Sequence, residues 1–294
     1  MQTFMHGAAV WDVACPQRPS RVAGLTMAGF RVRELDALRM VPHPAVTLLL
    51  EFGAGSPVLE CAPGRQQRGS IVAGPGLGSG GAVRARGESV ECVQVRLSPV
   101  IARAILGASP ADFDGAVSLG DLWGREASRI REQLGDVLSW QERFAFTEAL
   151  LARRHEAGPP VDPEVAWAWH QIVVSRGLTR VDGLASEVGW SRKRLWSRFR
   201  SQLGLPPKRA VKLVRFDHAA HRLVAGEGAA KVAADTGYAD QSHLHRDVMA
   251  FTGATPATVA GEPFLAVDDI AWPSRGTTAF FTSSRNSGSV AGRR

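Results

Sequence analysis

The strongest constraint on this chain is a pattern that occurs twice in its C-terminal half. In the run from Asp182 to Arg200, DGLASEVGWSRKRLWSRFR, the residues Leu184, Ala185 and Val188 have the spacing of one apolar helix face. Gly189 follows, and glycine supplies the backbone freedom that a sharp turn between helices needs. Ser191 is suited to cap a second helix, in which Leu195 and Phe199 point back at the first while Lys193, Trp196, Ser197 and Arg200 point away. About fifty residues on, Ala185, Gly189, Trp190, Leu195 and Gly204 return as Ala233, Gly237, Tyr238, Leu244 and Gly253, with one extra residue before the second helix. This duplication predicts two helix-turn-helix units and an all-α C-terminal half.

Such a motif lays its second helix in the major groove of DNA. The charge distribution agrees. The chain carries a formal net charge of +7. Between Glu187 and Asp217 lie Arg192, Lys193, Arg194, Arg198, Arg200, Lys208, Arg209, Lys212 and Arg215, with no acidic residue among them. A solvated helical face would show the same run, but its coincidence with a helix-turn-helix favours an anionic partner.

The closing segment GYADQSHLHRDVMAFTGATP has the order Gly-aromatic, Asp-x-Ser, Arg, Gly-x-Thr-Pro. On it, residues 163 to 256 resemble the DNA-binding domain of the AraC/XylS family of bacterial transcription regulators, and the resemblance implies two units joined by a long helix that act on double-stranded DNA. Two positions depart from the family pattern. Val248 stands where the family usually has Phe, and Trp196 is bulky for a base-reading position; Phe251, one turn on, could supply the missing aromatic volume. Lys208 to Val224, after Pro206 and Pro207, reads as the joining helix. A stiff connector there would set both recognition helices into successive major grooves, about 34 Å apart. Base readout is assigned to Lys193, Trp196 and Ser197 in the first unit and to His243 and Arg246 in the second; Arg192, Arg194, Arg200, Gln241 and Ser242 are assigned to phosphates. For Arg198 and Arg215 a role within the fold is equally open.

The N-terminal half reads differently. Val46–Phe52 is a short apolar run, Ser89–Leu97 alternates as a half-buried strand does, and Pro57–Cys61 and Ser70–Ala73 are weaker strand candidates. The cluster from Gly74 to Gly81 runs into AVRARGESV, so a hairpin loop is a better reading than a phosphate loop, which must open into a helix. Helical spacing returns near 99–107, 121–139 and 140–154, the second with Leu122, Ile130, Leu134, Val137 and Leu138. GPPVDP is the linker, with Asp162 and Pro163 as cap and first turn of the next helix. The expected fold is therefore an α+β two-domain chain: residues 1–157, β-rich over 1–98 and helical over 99–157; the double helix-turn-helix over 162–260; and a tail, 261–294, largely disordered, in which Trp272, Phe280 and Phe281 could dock. The family resemblance implies a cupin-type barrel at the N-terminus that takes an effector or dimerises. The helices after 99 could serve the dimer or simply cover the β-domain.

No catalytic constellation is present in the sequence. Cys15, Cys61 and Cys92 are too scattered for a disulfide framework, for CxxC chemistry or for the metal-bound cysteine of DNA-repair relatives. No signal peptide or bilayer-length apolar run is visible, which places the protein in the cytoplasm, away from membranes. His43, between two prolines, reads as a turn residue; His218 and His221, or His243 and His245, lack further ligands nearby, so no metal and no cofactor are assigned. A rival reading makes the β-domain an enzyme, but a cupin metal needs two or three histidines and a carboxylate, and residues 1 to 98 hold only His6 and His43. RNA polymerase, a second copy of the chain and an unidentified small-molecule effector remain candidate partners.

Overall fold

The computed structural model describes residues 1–6, 9–62, 65–77, 83–113 and 115–272. Among the described residues eleven strands come first: β1 (Gln2–His6), β2 (Ala9–Ala14), β3 (Leu25–Arg33), β4 (Leu35–Met40), β5 (Val46–Glu51), β6 (Val58–Ala62), β7 (Arg65–Arg68), β8 (Ile71–Ala73), β9 (Val83–Gly87), β10 (Val90–Leu97) and, among the helices, β11 (Ala116–Ser118). They form two antiparallel sheets, ordered β1-β2-β3-β10-β5-β8-β11 and β4-β9-β6-β7. The four strand candidates from the sequence correspond to β5, β6, β8 and β10. A 3₁₀ turn at Pro75–Leu77 occupies the glycine cluster, and the next described segment is β9, not a helix.

Strand β10 is central, with Val93 opposite Gly29 of β3 on one side and Leu50 of β5 on the other. Val93, Val95 and Leu97 enter a core with Leu25, Met27, Leu48 and Leu50. The expectation of a half-buried strand is corrected, because Cys92, Gln94 and Arg96 on the opposite face are also buried. Burial, with the nearby Glu51 and Glu91 carboxylates adding to it, pushes the Cys92 thiol up to about 12.

The helices α1 (Pro99–Leu106), α2 (Leu119–Trp123), α3 (Arg125–Asp136) and α4 (Trp140–Ala157) cover the first of these faces, with Ile105, Ile130, Leu134, Phe144 and Leu151 in its core. Gly29 has no side chain because the Trp140 indole lies where its Cβ would be. Leu138, expected on the apolar face of a longer helix, is 94% exposed: α3 stops at Asp136, and Val137 is extended before the capping box of Ser139 and Glu142. The apolar faces of these helices thus go to the sheet.

The C-terminal half consists of α5 (Pro163–Val174), α6 (Val181–Glu187), α7 (Arg192–Leu203), α8 (Pro207–Val224), α9 (Ala229–Asp235), α10 (Gln241–Thr252), α11 (Pro256–Ala260) and α12 (Pro263–Ala271). Helix α8 runs between the two units and buries Leu213, Val214, Phe216, Ala219, Ala220 and Leu223. The tail expectation is corrected over 263–272: α12 is a helix with Leu265 and Val267 buried, and Trp272 lies 5.8 Å from Phe30 and 3.6 Å from the Arg96 guanidinium. Residues 273–294, Phe280 and Phe281 included, lie outside the described residues.

The two halves share one apolar cluster, from Trp11 and Phe30 through Phe216 to Val259. Each helix-turn-helix also touches the β-rich half by polar contacts. Ser109 donates its hydroxyl to the carbonyl of Ser201 at 2.5 Å, and Arg39 donates to Glu262 and to the carbonyl of Thr252, each at 2.8 Å.

Candidate nucleic-acid interface

Both units are built by the same local rules. Gly189 and Gly237 take φ of +67° and +76° at the turns between helices, the left-handed region that glycine enters without strain. Ser191 accepts a hydrogen bond from the Arg194 amide at 3.2 Å, and Asp240 accepts one from the His243 amide at 2.7 Å, so α7 and α10 are both N-capped. Gly204 and Gly253 close them in the left-handed conformation. Leu195 and Phe199 in one helix, and Leu244 and Val248 in the other, are fully buried. Phe251 supplies the volume that Val248 lacks, stacking on Phe216 at 4.9 Å between centroids.

Counting from the caps, Arg192, Lys193, Arg194, Trp196, Ser197 and Arg200 of α7 stand where Gln241, Ser242, His243, His245, Arg246 and Met249 stand in α10. Every one of these except His243 is exposed. Trp196 faces outward with Arg200 5.3 Å from its ring, and Arg194 lies 4.4 Å from the ring of Trp190, giving a cationic and aromatic surface. His243 differs from the assignment. Its ring is half-buried, edge-on to Tyr238 at 5.1 Å, and its Nδ1 accepts from the Ala239 amide at 3.5 Å. The outward position belongs to His245, at the place equivalent to Trp196. Counting from the cap, rather than from the turn aromatic with its extra residue, would have found it.

The basic run sorts itself by partner. Arg198 donates twice to Asp162, at 2.7 and 2.8 Å, and this contact holds the Asp162 carboxyl below its ordinary range. Asp162 therefore serves as partner to Arg198; it sits at the cap position of α5 but makes no side-chain cap bond. Arg215 and Lys212 both hold Asp247, at 3.1 and 2.9 Å. Arg192 pairs with Asp182 at 3.1 Å, both well exposed, and burial lowers the half-buried Arg209. Lys193, Arg194, Arg200 and Lys208 stand exposed.

His43, read as a turn residue, is buried against the helical half. Its Nδ1 lies 3.0 Å from Asp217 of α8, and its Nε2 lies 2.8 Å from Arg96. The partners are 174 and 53 residues away, so no local spacing announces them. Asp217 and Asp268 are also buried there. Burial works to raise both carboxyls, and the neighbouring His43, His221 and Arg96 outweigh it, so both are lowered.

Two capped recognition helices, each exposing a polar face beyond a buried apolar one, define a DNA-binding protein. Residues 184–261 match the family described as a helix-turn-helix domain. The matched domain is of the AraC type, and the protein is a DNA-binding transcription regulator. No curated protein matches the chain. Among solved structures, ToxT from Vibrio cholerae O395 is similar at 10% identity and a TM-score of 0.45, covering 81% of this chain and 97% of ToxT. A ToxT structure from Vibrio cholerae strain SCE256 with an unsaturated fatty acid bound is similar at 10% identity and 0.43, covering 84% and 98%. The AraC-like transcriptional activator CuxR is similar at 17% identity and 0.26, covering 80% and 90%.

Proposed function

We propose that the protein reads duplex DNA sequence-specifically by placing α7 and α10 in successive major grooves, under the control of its N-terminal half. The observation that carries this reading is the pair of equivalent, N-capped helices with exposed polar faces on either side of a single joining helix, α8. Lys193, Trp196 and Ser197, with Arg246 and the outward His245, face the bases; Arg192, Arg194, Arg200, Gln241 and Ser242 meet phosphates and fix register. His243 supports the turn from within.

In this reading residues 1–157 are regulatory, 162–260 bind DNA, and α12 joins the two. The contacts of Ser109, Arg39 and His43 with the helical half give the N-terminal half a direct hold on both units. The protein then acts as a binding protein and not as an enzyme, in the cytoplasm, with RNA polymerase and a second copy of the chain as partners. No helix among the described residues is long and apolar enough to cross a membrane.

Selection of bound sequences from a random duplex pool, with the full chain at near-physiological salt, tests it. Two short motifs about one helical turn apart are expected. Absence of any enrichment would sink the sequence-specific reading.

A further inference from the structure

The seam between the two halves holds side chains that DNA recognition does not use. His43 lies in the segment between β4 and β5, Arg96 near the end of β10, Asp217 and His221 one turn apart on α8, and Asp268 on α12. Donor atoms of His43, His221 and Asp268 lie within 4.8 Å of one another. The Nε2 atoms of His43 and His221 are 3.6 and 3.8 Å from Asp268 Oδ2. A tetrahedral centre with bonds of about 2.0–2.1 Å sets its ligands about 3.3 Å apart, so the two separations to Asp268 need to close by a few tenths of an ångström and the two histidines, within 4.8 Å of each other, by up to about 1.5 Å.

The surroundings are arranged for the same purpose. With its Nδ1–H donated to Asp217 at 3.0 Å, His43 turns the lone pair of Nε2 inward, as outer-sphere carboxylates do for metal-bound histidines. Asp217 also lies 3.9 Å from His221 Nε2. With both histidines neutral, as metal ligation requires, two buried carboxylates against a single guanidinium leave the cage negative. Arg96 now donates to His43 Nε2 at 2.8 Å and to both oxygens of Asp268, while its own Nε has no hydrogen-bond partner.

We propose that this cage binds a divalent d-block cation of the zinc class through His43 Nε2, His221 Nε2 and Asp268, with Asp217 as the outer-sphere partner of His43. The cation takes the His43 lone pair from Arg96, which stays hydrogen-bonded to Asp268 as a second outer-sphere group. The site lies at the seam, with one ligand from the β-rich half and two from helices, so occupancy ties the β-rich half to the helix that joins both DNA-reading units. That regulatory consequence rests on the function proposed above; the binding itself does not.

The test uses the full chain without a polyhistidine tag, freed of metal and then titrated with zinc and with cobalt. One equivalent is expected, with the visible absorption of tetrahedral cobalt and a melting temperature raised by the metal. His43→Gln and His221→Gln, each folded and melting like the wild type in chelator, should lose the absorption band, and Asp217→Asn should weaken binding about 10–100-fold. Retention of well under one equivalent by the wild type would overturn the site, and so would affinity unchanged in both histidine variants, since the metal would then sit elsewhere. Stoichiometric metal with unaltered DNA affinity would leave the site standing and overturn its link to control, without touching the DNA-reading proposal.

Discussion

The two helix-turn-helix units share a scaffold and differ in what they place on it. Caps, turn glycines and buried leucines correspond one for one. The exposed face of α7 carries Arg192, Lys193, Arg194 and Arg200 around Trp196, whereas that of α10 carries Gln241, Ser242 and His245 with a single cation, Arg246. The position after the outward pair is inverted in charge: Arg198 reaches out to Asp162 in the first unit, while Asp247 is reached by Lys212 and Arg215 from α8 in the second. The first unit keeps its cations exposed on α7, whereas the second is fastened through Asp247 to two cations of the joining helix. Duplication preserved what folding requires and let the interface diverge.

The largest expected effect tests that fastening. Asp247 is 4% exposed and the side chain of Arg215 13%, so Asp247→Ala leaves a guanidinium buried without its counter-charge. Breaking such a pair costs about 3–5 kcal/mol, measurable by urea unfolding. A loss below about 1 kcal/mol, the range of exposed pairs, would show that the two anchors are equivalent after all.

The next contrast is in DNA binding. Arg246→Ala should remove preference at one or two adjacent base pairs, worth about 1–3 kcal/mol of discrimination, with little change on non-specific DNA. Arg200→Ala should weaken all sequences alike and reduce the salt slope by roughly 1. Competition binding over a salt series separates them, and an exchange of the two behaviours would reverse the roles assigned to Arg246 and Arg200.

How far the sequence carries this picture depends on the range of the interactions. The units were legible because helix faces, turn glycines and caps are written within a few residues of one another, as at Gly189 and Ser191. The β5, β6, β8 and β10 strands were legible for the same reason, yet the burial of Cys92 and Gln94 was not, because it depends on neighbours distant in sequence packing over the second face of the sheet. His43 is the sharpest case. Its proline neighbours suggest a turn, while its partners Asp217 and Arg96 come from far along the chain. Helix α12 was missed because it has a single apolar face of only nine residues, stabilised by docking on the sheet more than by its own propensity.

A smaller effect tests the sameness of the scaffold. Ser191→Ala and Asp240→Ala each remove one accepted amide hydrogen bond, and each should cost about 1 kcal/mol of stability. Equal losses support a common construction. A loss confined to one unit would mean that the other helix is held at its start by tertiary contacts.

The smallest effect carries the clearest pH signature. The Arg198–Asp162 pair is partly exposed, with Arg198 at 50% side-chain accessibility, so Arg198→Ala should cost less than about 1 kcal/mol at neutral pH. Hydrogen bonding from Arg198 lowers the Asp162 carboxyl from its ordinary value of 3.8. A folded-state value below the unfolded one stabilises the fold above that ordinary value, and the contribution disappears as pH falls through the lowered one. Unfolding curves of wild type and Arg198→Ala should therefore differ at pH 7 and converge on acidification below about pH 4. If the Arg198→Ala gap persisted undiminished in acid, the pair would be contributing through packing of the guanidinium against α5, and the first unit would be fastened to its neighbour as firmly as the second.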